Sequence, residues 1–229
     1  IVQELWSSYG EILRVNLSGS NFTSIIIKKI TFPKITNHPR GWNTYSSHLR
    51  KVKSYKVEKE WYSSFSINTN DFCRVAKCLA QFKLDDEEII ILEDLNSIGY
   101  VERKDSLSIK ETKLCLAWLA NFHATFLNFT PKELWEVGTY WNLSTRPEEL
   151  AAMKNTVLKE AAIQLDELLN NCEFKTIVHG DAKVANFCFS EDGNKVAAVD
   201  FQYVGGGCGI KDVVYLLGSC LREEDCELF

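Results

Sequence analysis

His179-Gly-Asp-Ala-Lys-Val-Ala-Asn186 sets a carboxylate and, five residues later, a carboxamide; fourteen residues beyond that comes a second carboxylate in Val199-Asp-Phe-Gln202. Three oxygen-bearing side chains in this order can converge on one point if the chain between them folds back. Phosphoryl transfer needs such a point. Mg²⁺ takes hard oxygen ligands from one or two protein side chains plus substrate phosphates, and a separate carboxylate must accept the proton of the acceptor hydroxyl. The spacing therefore names Asp181 as the candidate base and Asn186 and Asp200 as the candidate metal ligands. His-Gly-Asp by itself would say little; the ordered set with both later ligands says much more.

The segment between Asn186 and Asp200 does carry the signal for reversal. Asn186-Phe-Cys-Phe189 and the apolar run from Lys195 to Val199 flank Glu191-Asp-Gly-Asn194, which predicts a short hairpin, and Thr176-Ile-Val178 predicts a strand leading into the polar loop. Nearer the start, Glu11 to Leu17 alternates in part, Ser18-Gly-Ser-Asn21 reads as a turn, and Phe22 to Ile30 is β-branched, so a hairpin is expected. Pro33, Pro39 and Gly41 break the chain before a helix over Thr44–Phe65, whose apolar residues Leu49, Val52, Tyr55, Trp61, Tyr62 and Phe65 fall near helical spacing. Residues 72–84 fit strand or helix equally, and Ile89-Ile-Ile-Leu92 predicts a short, continuously apolar strand. Thr112 to Leu127 places Leu114, Trp118, Phe122 and Phe126 at every fourth position, the pattern of a buried amphipathic helix. A further helix is expected from Thr145-Arg-Pro-Glu148, read as a capping box, with Leu150, Met153, Val157, Ala161, Leu165 and Leu168 turned inward.

The 229 residues, 45% hydrophobic and 12% aromatic, suffice for one large domain or two small lobes and exclude disorder and a disulfide miniprotein. The net charge of −5 divides unevenly, residues 1–60 carrying +6 and the remainder −11. Net acidity with scattered lysines argues against a nucleic-acid partner. Eight cysteines without a CxxC pair support neither a zinc knuckle nor a secreted disulfide framework and read as reduced, mostly buried thiols. Four Asn-x-Ser/Thr triplets carry no weight on that reading. No apolar run reaches the roughly 20 residues that span a bilayer, so no membrane partner and a cytoplasmic location are expected. A start at Ile1 and a lone Met153 suggest a processed or partial chain.

Val178 to Asp200, with the later Gly205-Gly-Gly-Cys-Gly-Ile-Lys-Asp212, resembles the aminoglycoside phosphotransferase and choline kinase superfamily, and most of all its ecdysteroid kinase-like branch. The resemblance implies a two-lobed, protein-kinase-like α+β fold, with a small antiparallel-sheet lobe over residues 1–93 and a mainly helical lobe over 94–229. It implies ATP and Mg²⁺ as cofactors and a small-molecule hydroxyl acceptor as partner; oligomeric state is not legible. Lys28 in Ile25-Ile-Ile-Lys28 would bind the nucleotide phosphates and Glu58 would orient it, with Lys29 and Glu60 as the alternatives. Glu93 and Leu95 would meet the adenine through their backbone, and Lys183 would neutralise charge on the migrating phosphoryl. His179 would brace the loop rather than exchange protons, His123 is expected to be a satisfied core histidine, and Asp212 would anchor backbone N–H groups.

Two departures from the pattern stand out. The loop that should cover the nucleotide, Trp6-Ser-Ser-Tyr-Gly10, has no Gly-x-Gly-x-x-Gly, and only 29 residues follow Asp200, where the resembling fold continues with helices that wall the acceptor pocket. A catalytically silent scaffold is therefore the rival reading, and a metal-dependent hydrolase built on His179 and Asp181 the third. Arg50, Lys51, Lys53, Lys56 and Lys59 are read as a solvated helix face.

Overall fold

The partly alternating segment and the β-branched run at the start pair as expected. The structure, a computed structural model, describes residues 1–5, 9–32 and 45–221. In it β1 (Gln3–Glu4), β2 (Gly10–Asn16) and β3 (Ser24–Thr31) are followed by β4 (Arg74–Val75), β5 (Cys78–Leu84) and β6 (Glu87–Glu93). Five of these form one antiparallel sheet in the order β1-β2-β3-β6-β5. The period of two along β3 buries Ser24, Lys28 and Ile30 on one face. The ambiguous 72–84 segment resolves into β4 and β5, introduced by a 3-10 turn at Asp71–Cys73. The chain breaks at Pro33, Pro39 and Gly41 and the start of the next helix at Thr44 lie outside the described residues.

Helix α1 (Tyr45–Glu60) widens into a π-helical turn at Trp61–Phe65, which lays Trp61 flat on Phe201 with centroids 4.5 Å apart. Phe201 follows Asp200 directly, so this aromatic stack ties the helix of Glu58 to the loop of the second carboxylate. Helix α2 (Ile109–Thr125) starts three residues before Thr112 because Ser108 and Glu111 form a reciprocal capping box. Of its expected stripe, Trp118, Phe122 and Phe126 are buried, together with Cys115 and Leu119, while Leu114 is half-buried.

The helix expected from Thr145 is a correction. Thr145 ends a 3-10 turn, its hydroxyl bonding to the Asn142 carbonyl, and gives no cap; α3 (Pro147–Ala152) is short. A separate α4 (Thr156–Asn170) begins at Asn155, whose side chain accepts from the Leu158 N–H. Its apolar residues are not turned inward: Val157, Leu165 and Leu168 are 73%, 59% and 71% exposed.

The remaining strands are β7 (Thr176–Val178), β8 (Phe187–Phe189), β9 (Val196–Ala198) and β10 (Gly205–Gly207), before α5 (Ile210–Cys220). β8 and β9 form the expected hairpin, β4 runs parallel to β9, and β10 pairs antiparallel with β7. No disulfide joins the described cysteines, and Cys73, Cys115, Cys188 and Cys220 are buried; Cys226 lies outside the described residues. No described helix is long and apolar enough to cross a membrane.

Candidate active site

The hairpin brings together what the spacing promised. At its open end the Val199 N–H donates to the Asn186 carbonyl at 3.0 Å, which holds Asp200 beside the loop of Asp181. The Asn186 amide donates to the Asp181 carbonyl at 2.7 Å and to its carboxylate at 3.1 Å, so the amide oxygen is left for a cation. Lys183 donates to Asp181 Oδ2 at 2.8 Å. Burial pushes the Asp181 carboxyl up, and this outweighs the downward pull of the Lys183 ammonium. Burial works the same way on Asp200, but there Lys28, Lys51 and Lys183 win and hold it below the usual range.

The loop itself is held from beneath. His179 is fully buried; its Nε2 donates to the Val199 carbonyl at 3.0 Å and its Nδ1 accepts from the Asp181 N–H at 3.3 Å. Both ring nitrogens are thereby committed, which fits bracing and not proton exchange. Asp212, in the first turn of α5, accepts from the backbone N–H of His179 (2.7 Å) and Gly180 (2.9 Å) and from His123 Nε2 (2.8 Å). His123 is thus a satisfied histidine that links α2 to this anchor. Gly180 sits at φ +81°, and a Cβ there would meet the Tyr203 carbonyl at 2.0 Å, so only glycine fits. Asp200 adopts φ +66°, a conformation disfavoured for a residue with a Cβ.

The alternatives on the sheet side are separated by burial. Lys28 Nζ reaches both Glu58 oxygens at 2.8 and 2.7 Å, with Asp200 Oδ1 at 3.7 Å. Burial opposes its charge, but Glu58 and Asp200 raise its pKa above the ordinary lysine value. Lys29 faces the other way and pairs with Glu87 at 3.0 Å. Glu60, two residues past Glu58, lies on a different side of α1.

Glu93, Asp94 and Leu95 border the same cavity of about 940 Å³ that takes in Lys28, Asp181 and Asp200. The Glu93 side chain is turned to Arg74 and to the Lys77 N–H, while the Leu95 carbonyl accepts from Tyr100 N–H. Asp94, which sequence reasoning missed, clamps this segment to the sheet by accepting from Arg14 Nε and Ser24 Oγ, both at 2.7 Å.

The solvated helix face is the second correction. Lys53 and Lys56 are exposed, but Lys51 turns into the cavity and donates to Gln202 Oε1 at 2.8 Å; Arg50 also lines the cavity and donates to the Thr145 carbonyl. The signal was present: Lys51 precedes Glu58 by seven residues, two turns on one face. Arg146 was also missed; it is buried, stacks 4.9 Å from the Tyr140 ring centroid and 4.5 Å from that of Trp141, and lines the same cavity. Trp6, Ser7 and Ser8 of the expected covering loop lie outside the described residues.

A divalent cation is tested by one atom above all. Asp200 Oδ1 is buried and has no hydrogen-bond partner, beside an asparagine whose nitrogen is already committed. Two hard oxygens on a cavity suit Mg²⁺, which completes its shell with phosphate and water. No group of three or more His, Cys, Asp or Glu residues that could hold a metal occurs among the described residues, which does not suit a metal caged by protein alone.

No curated protein matches this chain. Among solved structures, it is similar to the aminoglycoside phosphotransferase APH(3'')-Id from Streptomyces rimosus in complex with ADP and streptomycin, at 12% identity and a TM-score of 0.50, over 86% of this chain and 72% of that one. Thermostable mutants of the aminoglycoside phosphotransferase APH(4)-Ia, in ternary complexes with hygromycin B and either ADP or AMP-PNP, match at 10% and 11% identity with TM-scores of 0.46 and 0.48. They cover 90% of this chain in both cases, and 70% and 71% of the neighbours. The fold is the two-lobed kinase-like α+β arrangement, an antiparallel sheet with one helix followed by a mainly helical part. The sequence model of the Ecdysteroid kinase-like family matches residues 10–137 and 136–227, most of the chain, and the protein belongs to that family.

Proposed function

We propose that this chain transfers the γ-phosphoryl group of ATP to a hydroxyl of a small-molecule acceptor. The observation that carries the reading is the common cavity onto which Asp181, Asn186, Asp200 and the Lys28–Glu58 pair all open. Residues up to 93 are read as the nucleotide-binding lobe and those from 94 as the catalytic lobe.

In this reading the acceptor oxygen attacks the γ-phosphorus, the bond to the β–γ bridging oxygen breaks, and ADP leaves. Asp181 takes the hydroxyl proton; Asn186 and Lys183 hold its carboxylate in place. Lys28, fixed by Glu58, supports the nucleotide phosphates, and the backbone of Glu93 to Leu95 receives the base. Asn186 and Asp200 would hold Mg²⁺, which when bound neutralises phosphate charge. Lys183, held on the cavity wall by Asp181, would neutralise charge on the migrating group.

The structural neighbours bind aminoglycosides, which are polycations. In this cavity Glu58, Glu93, Asp94 and Asp181 already face Lys28, Arg74, Arg14 and Lys183, and only Asp105, of the cavity carboxylates, faces no cation at ion-pair distance among the described residues. Tyr140, Trp141 and Arg146 line the same cavity as Asp181. An uncharged or anionic ring-bearing alcohol suits that wall better than a polyamine.

The test is Mg·ATP-dependent phosphorylation of a panel of alcohol-bearing metabolites, read by mass spectrometry, with Asp200→Ala as control. Acceptor-dependent phosphate transfer lost in the variant is the expected result. Nucleotide binding without transfer to any acceptor favours the scaffold reading.

A further inference from the structure

Among the lysines of the cavity, Lys51 is placed unlike the others. Lys28, Lys104 and Lys183 each have a carboxylate partner, in Glu58, Glu111 and Asp181. Lys51 has none within ion-pair distance among the described residues. Its ammonium rests on the neutral Gln202 amide oxygen at 2.8 Å and over the Tyr55 ring, 4.7 Å from the centroid, the same ring that Lys28 approaches at 5.6 Å.

A cation drawn out of bulk water without a counter-ion is costly to keep charged. The effect is visible in its proton affinity: burial lowers the Lys51 pKa to about 8, although Asp200 pulls the other way. The cost is removed when an anion enters beside it. The cavity that holds it also holds Asp181 and Asp200, and the loop before Gly10 offers no Gly-x-Gly-x-x-Gly to supply phosphate donors. We propose that Lys51 is a phosphate-binding residue of the nucleotide site, a second ammonium next to Lys28 contributed by the same helix that carries Glu58. The proposal rests on the kinase reading.

Isothermal titration of the full chain with Mg·ATP and, separately, with adenosine tests it in wild type, Lys51→Met, Lys51→Gln and Lys51→Arg. Loss of one charge-assisted contact is expected to weaken Mg·ATP binding about ten- to hundred-fold in the Met and Gln variants. Adenosine binding should stay within about two-fold, which also reports a folded pocket, and arginine should keep most of the affinity for Mg·ATP. Unchanged Mg·ATP binding in Lys51→Met or Lys51→Gln overturns the proposal. Equal weakening of ATP and adenosine also overturns it, because Lys51 would then only hold α1 against Gln202. A wild-type chain that binds no Mg·ATP fails the kinase reading itself, a result distinct from either.

Discussion

Replacing Glu58 by Gln removes the counter-charge from a lysine that has almost no access to water. The Lys28 and Glu58 side chains are 5% and 2% exposed. Breaking a buried pair by deleting one partner costs about 3–5 kcal/mol, because the surviving charge stays desolvated. Here Asp200 Oδ1, 3.7 Å from Lys28, offers partial compensation, which puts the loss near the lower end, about 3 kcal/mol. For a chain of this length that corresponds to about 6–12 °C in Tm. Lys28→Met combined with Glu58→Leu should regain much of that stability, since neither charge remains buried, while binding Mg·ATP far more weakly than wild type. Urea denaturation of Lys28→Met, Glu58→Leu and the double variant, closed with wild type as a double-mutant cycle, measures the coupling. A Glu58→Gln variant within about 1 kcal/mol of wild type, or a double variant no more stable than the single one, would refute the reasoning.

Asp181→Asn should keep Mg·ATP affinity and lower kcat by at least about a hundred-fold, since it removes the proton acceptor alone. Because burial raises the Asp181 pKa, the acid limb of kcat/KM should lie above the ordinary aspartate value of about 3.9. Lys183→Met removes the opposing charge and should move that limb higher still; a limb that moves down contradicts the assignment. Asp212→Asn should lower stability by about 3 kcal/mol near neutral pH, as the buried carboxylate accepts three hydrogen bonds. The Asp212 pKa is depressed in the folded chain, its interactions with His123, His179 and the Gly180 N–H outweighing burial. Its contribution is therefore complete above the unfolded value and vanishes as pH falls through the folded one. The gap between wild type and variant, followed by urea melts, should hold steady from about pH 7 to 5 and close below about pH 4.

The Asp181–Asn186 loop was legible because the spacing that marks it is local. Asp181 and Asn186 share one loop, and Asp200 is returned to them by a hairpin whose turn residues announce themselves. Lys28 and Lys29 could not be separated by type, since both lie in one β-branched run; the paired β6 strand and the helix above decide which face is buried. Thr145-x-x-Glu148 has the residues of a capping box, but Asn142 occupies the Thr145 hydroxyl and Asn155 caps the next helix. The lysines of α1 misled for the opposite reason: helical charge is ordinarily solvated, and only the loop after Asp200 turns Lys51 inward, through Gln202. Asp94 with Arg14 pairs residues 80 apart, a contact no local pattern encodes.

The central claim concerns one cation and three side chains, and anomalous diffraction locates such a cation directly. Crystals of the chain grown with Mn²⁺ and a non-hydrolysable ATP analogue should show an anomalous peak within about 2.3 Å of both an Asp200 oxygen and the Asn186 amide oxygen, with the terminal phosphate facing Asp181. A peak bound elsewhere, or a nucleotide seated with its phosphates away from Asp181 and Lys28, would contradict it.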